Sequence, residues 1–206
     1  MEKKIKCSII IPCYNSSEWI EKCLKSIPKR DDIEIICIDD GSSDNTFNII
    51  FKYFANQKKF ENWHILQSAS NRGVSYARNS GIYESQGEYI LMLDSDDYIY
   101  PKVFNEIVDN YLDSENDMVF YNLENNVKYI FEANQNNYQC KYGNFKFIKR
   151  EFLGDLRYTV GKQYAEDKEL HLKLMEKYPL CYFTNKVMYH YNYPRKGSLS
   201  AIGENR

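Results

Sequence analysis

Asp94-Ser95-Asp96-Asp97 places three carboxylates within four positions, directly after the apolar run Tyr89 to Leu93 (YILML). Carboxylates this close repel one another, which raises their pKa values unless a cation balances them. A hard divalent ion takes one or two carboxylates and fills its remaining positions with substrate phosphate oxygens and water. The plain alternatives are a solvated acidic turn, or Asp97 capping the next helix. Asp39 and Asp40 close a second apolar run, Ile33 to Ile38 (IEIICI). A carboxylate there can accept a hydrogen bond from the ring N–H of uracil or thymine. Asp44 and Ser43 suit a helix cap better, which leaves Asp40 without a structural duty. Tyr14 can lie flat against a base, since stacking tolerates any ring; a core tyrosine is the alternative. Asn71-Arg72-Gly73, then Arg78 and Asn79, add hydrogen-bond donors. Arg78 suits a bidentate phosphate contact, and equally a salt bridge to an aspartate on the same rim.

These residues need elements to position them. Lys6 to Ile11 is a β-branched run ending at Pro12, and predicts a buried strand. Ser16 and Ser17 can cap the helix that follows, where Trp19, Ile20, Cys23, Leu24 and Ile27 recur at helical spacing before Pro28. Ile33 to Ile38 is a second strand. Phe47, Ile50, Phe51 and Phe54 mark the stripe of a second helix. Trp63 to Leu66, Val74 to Ile82 and Tyr89 to Leu93 then read as strand, helix and strand. The order βαβαβαβ predicts a mostly parallel sheet with helices on both faces. Ligands bind such sheets outside the carboxyl ends of the strands, where Pro12-Tyr14, Asp39-Asp40 and Asp94-Asp97 all fall.

The second half is less regular. A helix follows Pro101, with Val103, Phe104, Ile107, Val108, Tyr111 and Leu112 on its apolar side. Met118 to Leu123 and Val127 to Phe131 predict a hairpin. Asn134 to Gly143 reads as a loop, and Lys146 to Leu153 as helix or strand. Glu166 to Lys177 is helical, with Leu170 and Leu174 inward. Cys181 to Thr184 and Val187 to Tyr191 are short strands, followed by a tail expected to be mobile from about Asn192. The division is a first half over 1–100, ending in the acidic cluster, and a second half of the same domain over 101–206.

Composition excludes several classes. The chain has 206 residues, 43% hydrophobic and 27% charged, as expected for a globular domain. A net charge of -2 provides no global basic field for nucleic acid. The six cysteines (7, 13, 23, 37, 140 and 181) form no C-x-x-C pair. With no signal-peptide core and no membrane-length apolar run, a reduced cytoplasmic protein is expected. Contact with the inner face of a membrane stays open, as does a homodimer or partner subunit. The 19 tyrosines suit a carbohydrate surface, although compositional bias explains them more simply. Neither G-x-G-x-x-G nor a P-loop is present, which removes the usual dinucleotide and P-loop signals.

SIIIPCYNSSEWIEKCLKSI, IICIDDGSSDNT, NRGVSYARNSGI and GEYILMLDSDDYI, in this order over about the first 100 residues, strongly resemble the family 2 glycosyltransferases of the GT-A fold. The resemblance implies a nucleotide-diphosphate sugar donor, a Mn2+ or Mg2+ ion, a glycan or lipid-linked glycan acceptor, and inversion at the anomeric carbon. A UDP-sugar is the default donor; dTDP fits the same Asp40 contact, and GDP stays open. The family pattern places Pro12, Tyr14 and Asp40 around the nucleoside, and Asp94 and Asp96 at the D-x-D position with Asp96 nearer the metal. Ser95 is counted with the donor site. AEDKELHLKL resembles the family's E-D motif, which makes Asp167 the match to the catalytic base, with Glu166 beside it. His190 resembles the family's C-terminal histidine, which can complete the metal shell. Arg195, Lys196 and Ser198 resemble the segment that folds over the diphosphate. Surface polysaccharide biosynthesis is the implied setting, and a non-catalytic nucleotide-sugar-binding subunit is the rival reading.

Overall fold

A computed structural model describes residues 4–57, 62–112, 115–138, 143, 145–162 and 165–194. The first half alternates as expected: β1 (Cys7–Cys13), α1 (Ile20–Ser26), β2 (Ile33–Asp39), α2 (Thr46–Ala55), β3 (Trp63–Gln67), α3 (Val74–Glu84) and β4 (Tyr89–Met92). β5 (Tyr98–Ile99), α4 (Pro101–Asn110), β6 (Met118–Asn125), β7 (Ile130–Phe131), β8 (Lys146–Lys149), α5 (Arg150–Leu153), α6 (Glu166–Met175) and β9 (Cys181–Tyr191) follow.

Among the described residues the strands form one sheet in the order β3-β2-β1-β4-β8-β6-β9-β5, with β7 on β6. β3, β2, β1 and β4 are mutually parallel. β8 runs antiparallel between β4 and β6, β9 is parallel to β6, and β5 and β7 are antiparallel additions. The fold is the expected α/β class, and every antiparallel pair involves at least one strand of the second half.

β1 and β2 are buried at every position. Both faces of these strands are covered, so their sequences read as continuous apolar runs rather than alternating ones. Ile9, Ile10 and Ile11 are fully buried, and each such side chain contributes about 1.5–3 kcal/mol. Helices α1, α2 and α4 build the core on one face, and α3 and α6 on the other. Cys7, Cys13, Cys23 and Cys37 are buried free thiols within the first core. No helix of the described residues is long and apolar enough to cross a membrane.

Several local readings change. The inward face of α2 carries Thr46, Ile49, Ile50, Tyr53 and Phe54, while Phe51 points out and stacks on Phe47. The stripe is thus turned away from the expected pair of phenylalanines, because Phe54 and Tyr53 pack on Trp63 of β3. Lys146 to Leu153 is strand and then helix. The hairpin is lopsided, since β6 reaches Asn125 and β7 keeps only two residues. Cys181 to Tyr191 is one strand, carried past Asn185 (φ 53°) by an irregular register against β6.

Helix α3 lies unusually close to the sheet. A Cβ on Gly81 would stand 2.3 Å from Ile10 Cγ2 and 2.8 Å from Ile38 Cδ1. Only a residue without a side chain lets this helix bring Arg78 down to the rim. Gly81→Leu is therefore expected to lower unfolding free energy by about 1–3 kcal/mol through overpacking, read as a lower urea midpoint at unchanged slope.

Candidate active site

β1 and β4 are neighbours, while the chain passes from β1 outward through β2 and β3 before returning to β4. The carboxyl ends of β1 and β4 therefore flank a topological switch point, where such sheets bind ligands. The loops there are bound to one another. Asn15 N–H donates to Ser42 Oγ (2.9 Å), and Asn15 Oδ1 accepts from Ser43 N–H (2.8 Å). Ser16 N–H donates to Thr46 Oγ1 (2.7 Å), and Ser17 N–H to Asp44 (3.0 Å). Asp44 also accepts from the Thr46 amide and hydroxyl. Burial opposes its charge, but these hydrogen bonds prevail and draw Asp44 down to about 2. Ser16 does not cap α1 through its side chain; its hydroxyl lies 2.7 Å from that of Ser95 across the switch point.

Asp39 and Asp40 divide their work. Asp39 accepts from Ser42 N–H (3.2 Å) and Gln67 Nε2 (3.0 Å), and is structural. Asp40 Oδ2 accepts from the Arg72 and Gly73 amides at 2.9 and 2.7 Å. Its other oxygen, Oδ1, is buried with no hydrogen-bond partner among the described residues. A buried carboxylate oxygen without a partner is costly unless a ligand supplies the donor. Gly41 makes the fit possible: φ is 71°, and a Cβ would meet Ser70 and Asn71 backbone atoms at 2.5–2.7 Å. Pro12 is buried one residue before the end of β1, and Tyr14 beyond the strand is half exposed.

The three aspartates after β4 are not equivalent. Asp97 is buried, accepting from the Tyr189 hydroxyl (2.5 Å) and the Asn192 amide (2.8 Å). Burial and the Asp96 and Asp94 charges push its carboxyl upward, against those two bonds. Asp97 is neither a helix cap nor rim-facing; it fastens the end of β9 under the acidic turn. Asp94 remains partly exposed. Its Oδ1 accepts from Arg78 Nη2 (3.1 Å), and its amide donates to Tyr189 Oη (3.2 Å).

Arg78 thus takes the ion-pair option. Its other terminal nitrogen, Nη1, donates to Glu166 Oε1 at 2.8 Å. Burial disfavours its charge, but Asp94, Tyr158 and Glu166 outweigh that and push its pKa up. One guanidinium therefore joins the acidic turn after β4 to the first residue of α6. The next residue there, Asp167, is mostly buried, with Oδ1 accepting from the Lys168 amide (2.8 Å). Burial and the Glu166 charge raise its carboxyl above the ordinary range.

His190 lies on β9, paired with Tyr98 of β5. Its ring stacks on Tyr98 with centroids 4.2 Å apart, and Lys22 covers the opposite part of that layer, 3.8 Å from the Tyr98 centroid. Nε2 faces Asn126 Oδ1 at 2.9 Å, and Nδ1 faces the Tyr100 hydroxyl (3.5 Å) and Glu124 (3.7 Å). Tyr100 in turn donates to Glu124. Both ring nitrogens are turned to protein groups, so here His190 packs the β5–β9 edge. Arg195, Lys196 and Ser198 lie outside the described residues, whereas Asn192, at the start of the expected tail, is tied to Asp97. Among the described residues no three His, Cys, Asp or Glu side chains form a ready metal cage. Asp94 and Asp96 still suit an ion that draws its remaining oxygens from phosphate and water. The sequence reading took Ser16 for a helix cap and Asn192 for the start of a mobile tail, and gave Tyr189 no role beyond a strand position.

The profile of the family described as Glycosyl transferase family 2 matches residues 8–179. The poly(ribitol-phosphate) beta-glucosyltransferase of Bacillus spizizenii is 44% identical over 100 residues, covering 46% of this chain and 15% of that protein. Glycosyltransferase GlyG of Streptococcus pneumoniae is 25% identical over 193 residues, covering 80% of this chain and 63% of its own. The chain thus spans less than two thirds of these relatives. In three dimensions it superposes on S. aureus TarS 1-349 in complex with UDP-GlcNAc, with a TM-score of 0.83 at 22% identity, over 95% of this chain and 61% of TarS 1-349. The mannosyltransferase PcManGT of Pyrobaculum calidifontis, in complex with GDP-Man and Mn2+, superposes with a TM-score of 0.74 at 18% identity, over 95% of this chain and 59% of its own. These likenesses share the GT-A architecture, and with the profile match over most of the chain they establish that it belongs to glycosyl transferase family 2.

Proposed function

We propose that the chain transfers a sugar, with inversion, from a UDP-sugar to an acceptor hydroxyl, with Asp167 as the base. The observation that carries this reading is the Asp94–Arg78–Glu166 bridge, which draws the start of α6 and Asp167 to the acidic turn after β4. The unpartnered Asp40 Oδ1 suits the N3–H of uracil, and half-exposed Tyr14 can stack on that ring. Ser95 and Arg78 hold the donor side of the turn, and Arg195 is read as a cation for the diphosphate.

In the reaction the acceptor oxygen attacks the anomeric carbon in line. Its proton passes to Asp167 as the new carbon–oxygen bond forms. The bond from that carbon to the β-phosphate oxygen breaks, and its electron pair leaves with the nucleoside diphosphate. No covalent sugar–enzyme species is needed. Asp96, with Asp94, would hold a Mn2+ or Mg2+ ion, which supplies positive charge to the departing diphosphate. Asp167 is suited to its task because burial and the Glu166 charge raise its carboxyl above the ordinary range, which makes it a stronger base. Glycan or lipid-linked glycan acceptors fit the polysaccharide setting of the relatives.

Asp167→Asn should reduce transfer by about 10²–10⁴-fold while calorimetric affinity for the UDP-sugar persists. Equal loss of donor affinity sinks the base assignment, and donor binding without turnover in the unaltered protein favours a binding subunit. Asp40→Asn should weaken uridine diphosphate binding by about 1.5–3 kcal/mol at near-constant melting temperature. In a thermal-shift panel of nucleotide sugars with and without Mn2+, the right donor at a hundredfold excess over Kd should add about 2.7 kcal/mol of stability; no response to any uridine donor sinks the nucleotide assignment.

A further inference from the structure

Lys146 is a buried cation that the donor site does not use. It opens β8, where the next residue, Phe147, pairs with Leu91 of β4, so Lys146 lies close to the end of the strand that leads into Asp94. Side chains alternate along a strand. Phe147 belongs to the core under α1, α2 and α4, and Ile148 to the core under α3 and α6. Lys146 therefore projects to the same face as Ile148, the face that carries Arg78 and Asp167. It is 6% exposed. Its ammonium donates to the Gly143 carbonyl at 3.1 Å. Gly143 has φ 74°, and a Cβ there would stand 3.1 Å from Asp167 Oδ2. The lysine thus anchors the residue that walls the Asp167 carboxylate.

A buried ammonium is costly when a single carbonyl is its hydrogen-bond partner among the described residues, and an opposite charge offsets that cost. Burial pulls Lys146 down to about 8, and the Asp167 charge acts in the other direction. Burial and Glu166 push Asp167 up, while the Lys168 amide, Arg78 and Lys146 draw it down. Tyr158, in the loop after α5, also faces Asp167, and Cys181 of β9 faces Lys146. Charge therefore reaches Asp167 from its own helix, from α3, from β8 and from that loop.

We propose that Lys146 is a positioning residue for Asp167: its ammonium pins Gly143 against the Asp167 carboxylate and balances that carboxylate's charge. The proposal rests on Asp167 being the base. A carboxylate base works only when ionised, so activity falls as pH drops through its pKa. Removing a nearby positive charge raises that pKa and moves the acid limb to higher pH.

The test is the pH profile of kcat/KM for the wild type, Lys146→Met and Lys146→Arg. The acid limb of Lys146→Met should lie higher by about one pH unit, and Lys146→Arg should return it to the wild-type position. A Lys146→Met limb that coincides with the wild type overturns the proposal. Should Lys146→Met not fold, the side-chain carboxyl 13C resonance of Asp167 in the wild-type protein decides: it should shift again as Lys146 titrates near pH 8, and a flat response there overturns the proposal. Transfer that survives in Asp167→Asn removes the base reading itself. Loss of transfer in Asp167→Asn with an unmoved Lys146→Met limb removes the role of Lys146 alone.

Discussion

The site depends on one buried guanidinium shared by two carboxylates from distant parts of the chain. Arg78 sits on α3, Asp94 follows β4, and Glu166 opens α6. Desolvating such a charge is costly, and with Nε lacking a hydrogen-bond partner among the described residues the offset comes from the two terminal nitrogens. Removing one partner from a fully buried pair costs about 3–5 kcal/mol; the partial exposure of Asp94 places that arm toward the lower end. Asp94 and Glu166 are consequently held on a common centre, one on the donor side and one beside the proposed base. Gly81 is what permits this, because a larger residue would lift α3 from the sheet.

The surrounding loops are held by side chain to backbone bonds rather than by apolar packing. Asn15, Ser16 and Ser17 meet Ser42, Ser43, Asp44 and Thr46, and Ser16 meets Ser95. Tyr189 accepts from the Asp94 amide and donates to Asp97. Electrostatic stabilisation of a transition state works best when dipoles are placed beforehand. A rim whose loops are already cross-linked meets that condition without a costly rearrangement on binding.

Three neighbouring aspartates illustrate how environment assigns roles to identical residues. Asp97 uses its oxygens internally and anchors β9. Asp94 is paired with Arg78. Asp96, half-buried between them, carries one of the charges that push Asp97 upward. Asp39 and Asp40 divide in the same manner, one serving the turn and the other keeping a buried oxygen with no hydrogen-bond partner among the described residues.

The parallel half was legible in the sequence because its strands are covered on both faces, so β1, β2 and β4 appear as unbroken apolar runs. The position of Asp40 and of Asp94 to Asp97 at strand ends followed from that order alone. The stripe of α2 was misplaced because phenylalanine content does not reveal which side of a helix meets Trp63. β5 was missed because two residues carry no period. The pairing of Arg78 with Glu166 and of Asp97 with Tyr189 was beyond reach for another reason. Arg78 lies 88 residues from Glu166, and Tyr189 lies 92 from Asp97, so no local pattern encodes the pairing. Residue types and short-range periodicity determined which groups could do chemistry and on which rim; burial, strand order and the approach of α3 and α6 decided which carboxylates are engaged within the fold and how, because charge is tuned by neighbours that only the folded chain brings together.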